Sequence, residues 1–469
     1  MKKLIFLFGA FLLATSVFAQ SDDDLFGGSD DDLFADDSIV EVKDVSAKTD
    51  LSKGVIFDTG SIKVGGSLSA GITTNTVLYS PEENDLAKNI YASTLKPDLS
   101  AMLSVDARPT ETLRIYTKFG FAYPFNNSVT GYLRDGQTSE VLGINTDGTL
   151  IIGKKTTNSI IDWFKLKELF TDFSLKETAF FRFGIHTVTW GTGYFFSPVS
   201  DMINTSSIDP EHPEKQVDGA LNLRTQIVFP NSQNCLWFYV IPSTNFTNQT
   251  AESYMRETAL AGKFDLLIGN WEFGIGGFYK YQNAPKAMLT ATGSLRKIGF
   301  FGEFVYSYGS ASEWATDHNW EDKTNIIQAT AGFTYMWKEP QITLAAQYYF
   351  NGNDKDPAGY VIGGHNIAAL LSFGKLFNNK DFTASIFAIG NFGRKEITSV
   401  EREMLKLSGA SDEMIAAASG TSLTTTAMLY YSPIKELKVG LGPSLTFKTF
   451  ETNPTISLKL SATLGGGNF

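Results

Sequence analysis

Over residues 327 to 337 every second side chain is apolar. Ile327, Ala329, Ala331, Phe333, Tyr335 and Trp337 share one parity, while Gln328, Thr330, Gly332 and Thr334 share the other. Alternation of that length defines a β-strand with two unlike faces; a helix would repeat its apolar positions every three or four residues. The next segment does the same, with Ile342, Leu344, Ala346, Tyr348 and Phe350 set against Gln341, Thr343, Ala345 and Gln347. Leu113, Ile115, Phe119 and Phe121 oppose Arg114, Tyr116 and Lys118, and Leu221, Leu223, Ile227 and Phe229 oppose Asp218, Asn222, Arg224 and Gln226.

Such strands suit two architectures. In a soluble sandwich the apolar face turns inward onto a second sheet; in a transmembrane barrel it turns outward to lipid and the polar face lines the lumen. The pattern predicts strands near residues 61–79, 97–108, 110–123, 159–171, 176–190, 217–230, 234–243, 255–268, 270–282, 285–297, 298–309, 324–338, 341–352, 363–375, 380–391, 421–432, 436–449 and 455–468. The connections after even strands are tight, with turn residues such as Pro109-Thr110, Pro230-Asn231, Gly269-Asn270, Glu339-Pro340, Asn378-Asn379 and Pro433-Ile434. Most of those after odd strands are long: 124–158, 191–216, 310–323, 351–362 and 392–420. An even strand count with both termini on the short-turn side is what a closed barrel requires, and separate soluble β-domains would not generate that parity. Trp190, Tyr194, Tyr306, Tyr308, Tyr335, Trp337, Tyr348 and Tyr349 stand near strand ends, where aromatic side chains form interfacial girdles.

Composition removes other classes. Beyond the first twenty residues there is no apolar run of the length a membrane helix needs. One Cys leaves no intramolecular disulfide, and four scattered His without close spacing leave no zinc motif. The expected chain carries no cofactor and no metal. Its net charge of −11 argues against a nucleic-acid partner.

The N-terminus reads as an address. Lys2 and Lys3, the apolar run from Leu4 to Phe18, and Val17-Phe18-Ala19 predict a signal peptide over residues 1–19. Residues 20–55 form an acidic leader with an octapeptide repeat, Ser-Asp-Asp-Asp-Leu-Phe-Gly-Gly from Ser21 and Ser-Asp-Asp-Asp-Leu-Phe-Ala-Asp from Ser29. Between Ser21 and Asp50 there are 11 acids and 2 lysines, a self-repelling run that predicts disorder. The leader reads as a solvated periplasmic tail, or its Leu-Phe pairs serve as hooks for a periplasmic partner, or it plugs the barrel. Residues 56–469 are the barrel.

Over about residues 55 to 469 the chain resembles the outer-membrane β-barrels of diderm bacteria, and among them the porin-like channels. Phe469 is similar to the terminal aromatic by which that family is recognised by the barrel assembly machinery. Ile456, Leu458, Leu460, Ala462 and Leu464 alternate out of step with Phe469, so a bulge near Gly465-Gly466-Gly467 is needed to restore the register. The acidic repeat looks like leaders of exported spirochaete proteins. The resemblance implies an outer-membrane channel in contact with lipid, passing small hydrophilic solutes, and a homo-oligomer is among its forms.

Parity nominates the lumen. A Lys or Arg facing lipid near the midplane costs about 2–4 kcal/mol, so charges in clean alternation are assigned inward. These are Lys63, Arg114, Lys118, Arg182, Arg224, Lys280, Lys286, Lys438 and Lys448 against Asp106, Asp218, Glu272 and Glu303. The basic excess predicts a mild preference for anions. His186 falls on the same face and reads as a hydrogen-bonded wall residue; a hydrolytic set of His186 or His212 with Asp201 and Ser200 has no supporting spacing, and the chain is not expected to be an enzyme. Cys235 reads as inert packing.

The connection from Gly191 to Gln216 is long and rich in aromatics and acids: it follows Trp190 with Gly-Thr-Gly, Tyr194, Phe195 and Phe196, then Asp201, Asp209, Glu211 and Glu214. The porin resemblance implies a loop folded into the barrel as a constriction, facing Arg114, Lys118, Arg182 and Arg224. A surface loop of the same composition is the alternative. Val400 to Leu407, continued by Asp412 to Ala418, reads as a helix capping the mouth. The reading is an all-β, transmembrane, antiparallel up-and-down barrel of about 18 strands that conducts by passive diffusion. The alternatives are a carrier of hydrophobic molecules of fatty-acid type and a surface adhesin or structural barrel with an occluded bore.

Overall fold

The computed structural model describes residues 48–468 apart from 51–54, 59, 82, 84, 92, 124–129, 132–139, 145–149, 156–163, 177, 212, 214–216, 231, 244–249, 339–340, 356–363, 393–420 and 449–452. The signal peptide, both octapeptides, His212, Glu214, the expected helix after residue 400 and Phe469 lie outside the described residues.

Eighteen antiparallel strands close on themselves. In chain order they are β1 Ile62–Tyr79, β2 Thr94–Thr110, β3 Leu113–Ala122, β4 Phe164–Leu175, β5 Ala179–His186 and β6 Ala220–Val228. Next come β7 Cys235–Ile241, β8 Ala259–Ile268, β9 Trp271–Lys280, β10 Lys286–Leu295, β11 Ile298–Tyr308 and β12 Asn325–Trp337. The last are β13 Ile342–Asn351, β14 Gly364–Phe373, β15 Phe382–Phe392, β16 Ser422–Ile434, β17 Leu437–Lys448 and β18 Thr455–Asn468. Each pairs with its neighbours in sequence, and β18 pairs with β1, so within the wall no strand edge is left open along that seam.

The register confirms the faces. Gly302 of β11 lies between Ala291 and Ala331, and Phe300 lies between Gly293 and Phe333, all on the outer side with the half-exposed Phe304. Glu303 and Val305 on the other parity are buried. Leu289, Ile275, Phe238 and Leu260 are exposed on the outside, as a lipid-facing band demands. A closed barrel with this exterior is an outer-membrane protein. No helix among the described residues is long and apolar enough to cross a membrane, which is expected of a chain that crosses with strands.

The bulge anticipated near the C-terminus is present between Gly465 and Gly467. Gly465 has φ +89°, and a Cβ there would lie 2.2 Å from the Leu68 carbonyl oxygen, so only glycine fits. The bulge puts Gly467 opposite the outward Leu68. Beyond Asn468, whose partner is Ser67, the lower end of β1 overhangs β18. Residues Val55–Asp58 fill the overhang by pairing with Lys63 to Gly65, and Lys48–Asp50 pairs with Val55–Asp58 in turn. The last part of the span assigned to the leader is therefore strand.

Several boundaries differ from the sequence reading. The β4–β5 hairpin pairs out to Leu175 and Ala179, so β4 runs longer than expected, because Asp172 and Ser174 continue its inward alternation. Strand β5 ends at His186, and Val188 and Trp190 leave the wall for the bore, where both are buried. Before β8, residues Ala251–Glu257 form a short helix capped by Thr250.

Candidate functional site

A chain that leaves the wall and runs through the bore loses its strand partners, so its backbone N–H groups need new acceptors. The described residues of 187–219, between β5 and β6, do this. The inner wall supplies two acceptors at the right places. Glu303 of β11 takes the Gly193 N–H at 2.6 Å and the Ser197 hydroxyl at 2.8 Å on one oxygen, together with Thr192 N–H, and the Val199 N–H at 2.9 Å on the other. Gln347 of β13 takes the N–H groups of Tyr194, Phe195 and Phe196 at 3.1, 2.6 and 3.2 Å on its Oε1, and its Nε2 donates to the Phe196 carbonyl at 2.6 Å. Lys263 of β8 adds a bond from its ammonium to the Trp190 carbonyl at 2.9 Å.

The Trp190-Gly-Thr-Gly sequence is explained by this seat. A Cβ on Gly191 would lie 2.5 Å from a Glu303 carboxylate oxygen, and one on Gly193 would lie 1.8 Å from the Phe196 carbonyl oxygen. Apolar contacts complete the seat. Val188, Trp190, Val199 and Ile203 pack on the inward side chains Trp237, Tyr239, Met288 and Val305, while Phe195 packs on Ala345 and Ala368 beside Leu370 and Phe387. Phe196 stacks on Tyr349 at 5.3 Å between centroids. Trp190, Tyr194 and Tyr349 are thus bore residues and not members of an interfacial girdle. The acids of the loop go elsewhere: Asp201 is exposed to the bore, Asp209 accepts from the Glu211 N–H at 3.1 Å, and Glu211 lies 3.4 Å from Lys459 of β18. The connection therefore touches walls as far apart as β11 and β18.

The opposite sector, β2 to β6, carries charge. Arg114 makes a two-pronged pair with Asp106, both bonds 3.0 Å, and its remaining nitrogen lies 3.7 Å from Asp172. Arg182 makes a second two-pronged pair with Asp172 at 2.6 and 3.1 Å. The Arg182 guanidinium lies over the Phe170 ring at 3.9 Å, and that of Arg224 over Trp237 at 5.4 Å. Lys118 stands in register with Glu168. Asp218 sits in the loop just ahead of β6, not within it, and its carboxylate meets Lys165 and Lys167, the latter at 2.8 Å. Burial pushes the Asp218 carboxyl up, but the two lysines outweigh it and hold it below the ordinary carboxylate range.

His186 is fully buried, with its Nδ1 3.3 Å from the Gly184 carbonyl and its ring edge-on to Phe170. Ser200 has different partners: its Oγ accepts from the Gly191 N–H and lies 2.9 Å from Ser197. Glu272 lies 4.0 Å from Lys263, Lys280 stands opposite the buried Ala259, and Lys286 interacts electrostatically with Asp201. Around the bore the density of protein pushes the Asp201 carboxyl up to about 6; Glu303 adds to the rise, and Ser207 and Lys286 oppose it. Cys235 is buried near Asp265, which accepts from the Trp237 indole at 2.6 Å.

Several wall charges escaped the sequence reading: Lys165, Lys167, Glu168, Asp172, Lys263, Asp265 and Lys459. Lys459 and Lys263 were recoverable from parity alone, since each alternates with apolar neighbours. Among the described residues no three His, Cys, Asp or Glu gather as a metal would require.

No protein-family model matches the chain, and no curated protein does. Solved structures of similar shape include a BenF-like porin from Pseudomonas fluorescens Pf-5, 7% identical, covering 86% of this chain and 98% of that one with a TM-score of 0.48. Pseudomonas aeruginosa OccK11 is 9% identical, covering 86% and 95% with a TM-score of 0.45, and Acinetobacter baumannii OccAB3 is 10% identical, covering 87% and 99% with a TM-score of 0.43.

Proposed function

We propose that the protein is a non-enzymatic outer-membrane channel for passive diffusion of small hydrophilic solutes, mildly anion-preferring, whose constriction is the connection between β5 and β6. The observation that carries this reading is the seating of that connection inside the barrel, on Glu303 and Gln347, opposite the charged sector of β2 to β6. A narrow polar gap between a fixed loop and a charged wall sorts hydrated solutes by size and charge. In this reading Arg114, Lys118, Arg182, Arg224, Asp218, Glu272, Lys280 and Glu303 shape the potential directly or through the loop, and His186 supports the wall. Assembly proceeds through Phe469, and the acidic repeat favours a spirochaete source. Purified protein in a planar bilayer should give discrete conductance steps with a reversal potential displaced slightly toward anions. A second reading, a barrel with an occluded bore, draws on the apolar cluster between the loop and Tyr239, Met288 and Val305. Folded protein that stays silent in the bilayer would favour it.

A further inference from the structure

We propose that Asp172 determines the ion preference of the channel by offsetting, together with Asp106, the charge of two arginines; this rests on the channel reading. Along the inner face of β2 to β5 the charges alternate: Asp106, Arg114, Asp172, Arg182. Each guanidinium has a two-pronged carboxylate partner, and Asp172 is shared, at 2.6 Å from Arg182 and 3.7 Å from Arg114. Asp172 is only 3% exposed, whereas the two arginine side chains are 20% and 12% exposed and so face the bore.

The geometry is fixed from behind. Phe170, two residues away on the same face of β4, lies under both guanidiniums, at 3.9 Å from Arg182 and 5.8 Å from Arg114. Arg182 also stands directly opposite Arg224 across the β5–β6 pair, and like charges in that position repel. Asp172 is the carboxylate that offsets this repulsion. An ion in the bore responds to the summed potential of the wall and need not touch it. With the Asp172 carboxylate in place, the two arginines are balanced by Asp106 and Asp172; without it, a positive charge is left facing the water.

The test is the reversal potential of the whole protein in a KCl gradient across a planar bilayer. Asp172→Asn keeps the size and one acceptor of the side chain, and should raise the anion-to-cation permeability ratio by about twofold or more, with a larger effect at low salt. Arg182→Gln alone should move the ratio toward cations, and D172N with R182Q together should return it to that of the unaltered protein. If D172N does not assemble, the comparison of R182Q with the double variant still reads the single carboxylate. Single variants D172N and R182Q that conduct with the ratio of the unaltered channel, or a double variant whose ratio equals that of R182Q, would overturn the assignment. Unaltered protein that folds but does not conduct would overturn the channel reading itself.

Discussion

Asp201 faces the bore from the short turn Ser200–Met202, with Lys286 and Glu303 acting on it from the wall. Because its carboxyl is raised to about 6, it is largely protonated in mildly acidic solution and gains its negative charge as the pH rises through that value. In the proposed channel the constriction then becomes more negative, so its anion preference should fall between about pH 5 and about pH 7. Reversal potentials at the two pH values check this, and Asp201→Asn should flatten the step. At the same scale, parity in the sequence was enough to place Arg114, Arg182, Arg224 and Glu303 on the inner face. It did not disclose their partners. Asp172 falls between the strands expected at 159–171 and 176–190, yet it lies inside β4, where guanidiniums brought from β3 and β5 offset the cost of its burial.

The loop between β5 and β6 is held by acceptors on the wall as well as by bonds of its own. Replacing Glu303 with Gln substitutes amide hydrogens for one oxygen facing converging donors, at a cost of about 2–4 kcal/mol in the seat of the loop. The expected outcome is a larger, noisier single-channel conductance in an otherwise folded barrel, and Gln347→Ala should move conductance in the same direction. Gly193→Ala should act likewise without altering any charge, because its Cβ would collide with the Phe196 carbonyl. If conductance stays quiet and unchanged in all three variants, the loop does not set the constriction. The ends of β5 were obscure in the sequence for a related reason. Val188 and Trp190 continue the alternation of the strand, yet they serve an apolar cluster between the loop and the inner wall, and periodicity does not distinguish the two destinations.

For the whole molecule the number of strands and the parity of long and short connections were legible, because alternation and turn residues are local and each strand carries its own signal. The path of the long connections was not, since it depends on contacts between residues more than 100 positions apart, such as Gly193 with Glu303. The outward band makes a direct prediction: Leu289→Arg should cost about 2–4 kcal/mol in refolding into lipid vesicles, measured by denaturant titration. Removing Ser21 to Asp50 should leave the heat-modifiable gel mobility of the folded barrel intact, and loss of that mobility would show that the leader participates in assembly.

The cylinder's first stave is longer than its last. That leaves a step at the rim, and the polypeptide fills it with its own upstream residues, Val55 to Asp58. A truncation reaching into those residues would strip one side of the rim of its backbone partners and leave a sticky ledge. A foreign strand could zip onto that ledge, so shortened forms should aggregate rim to rim while the cylinder above remains closed.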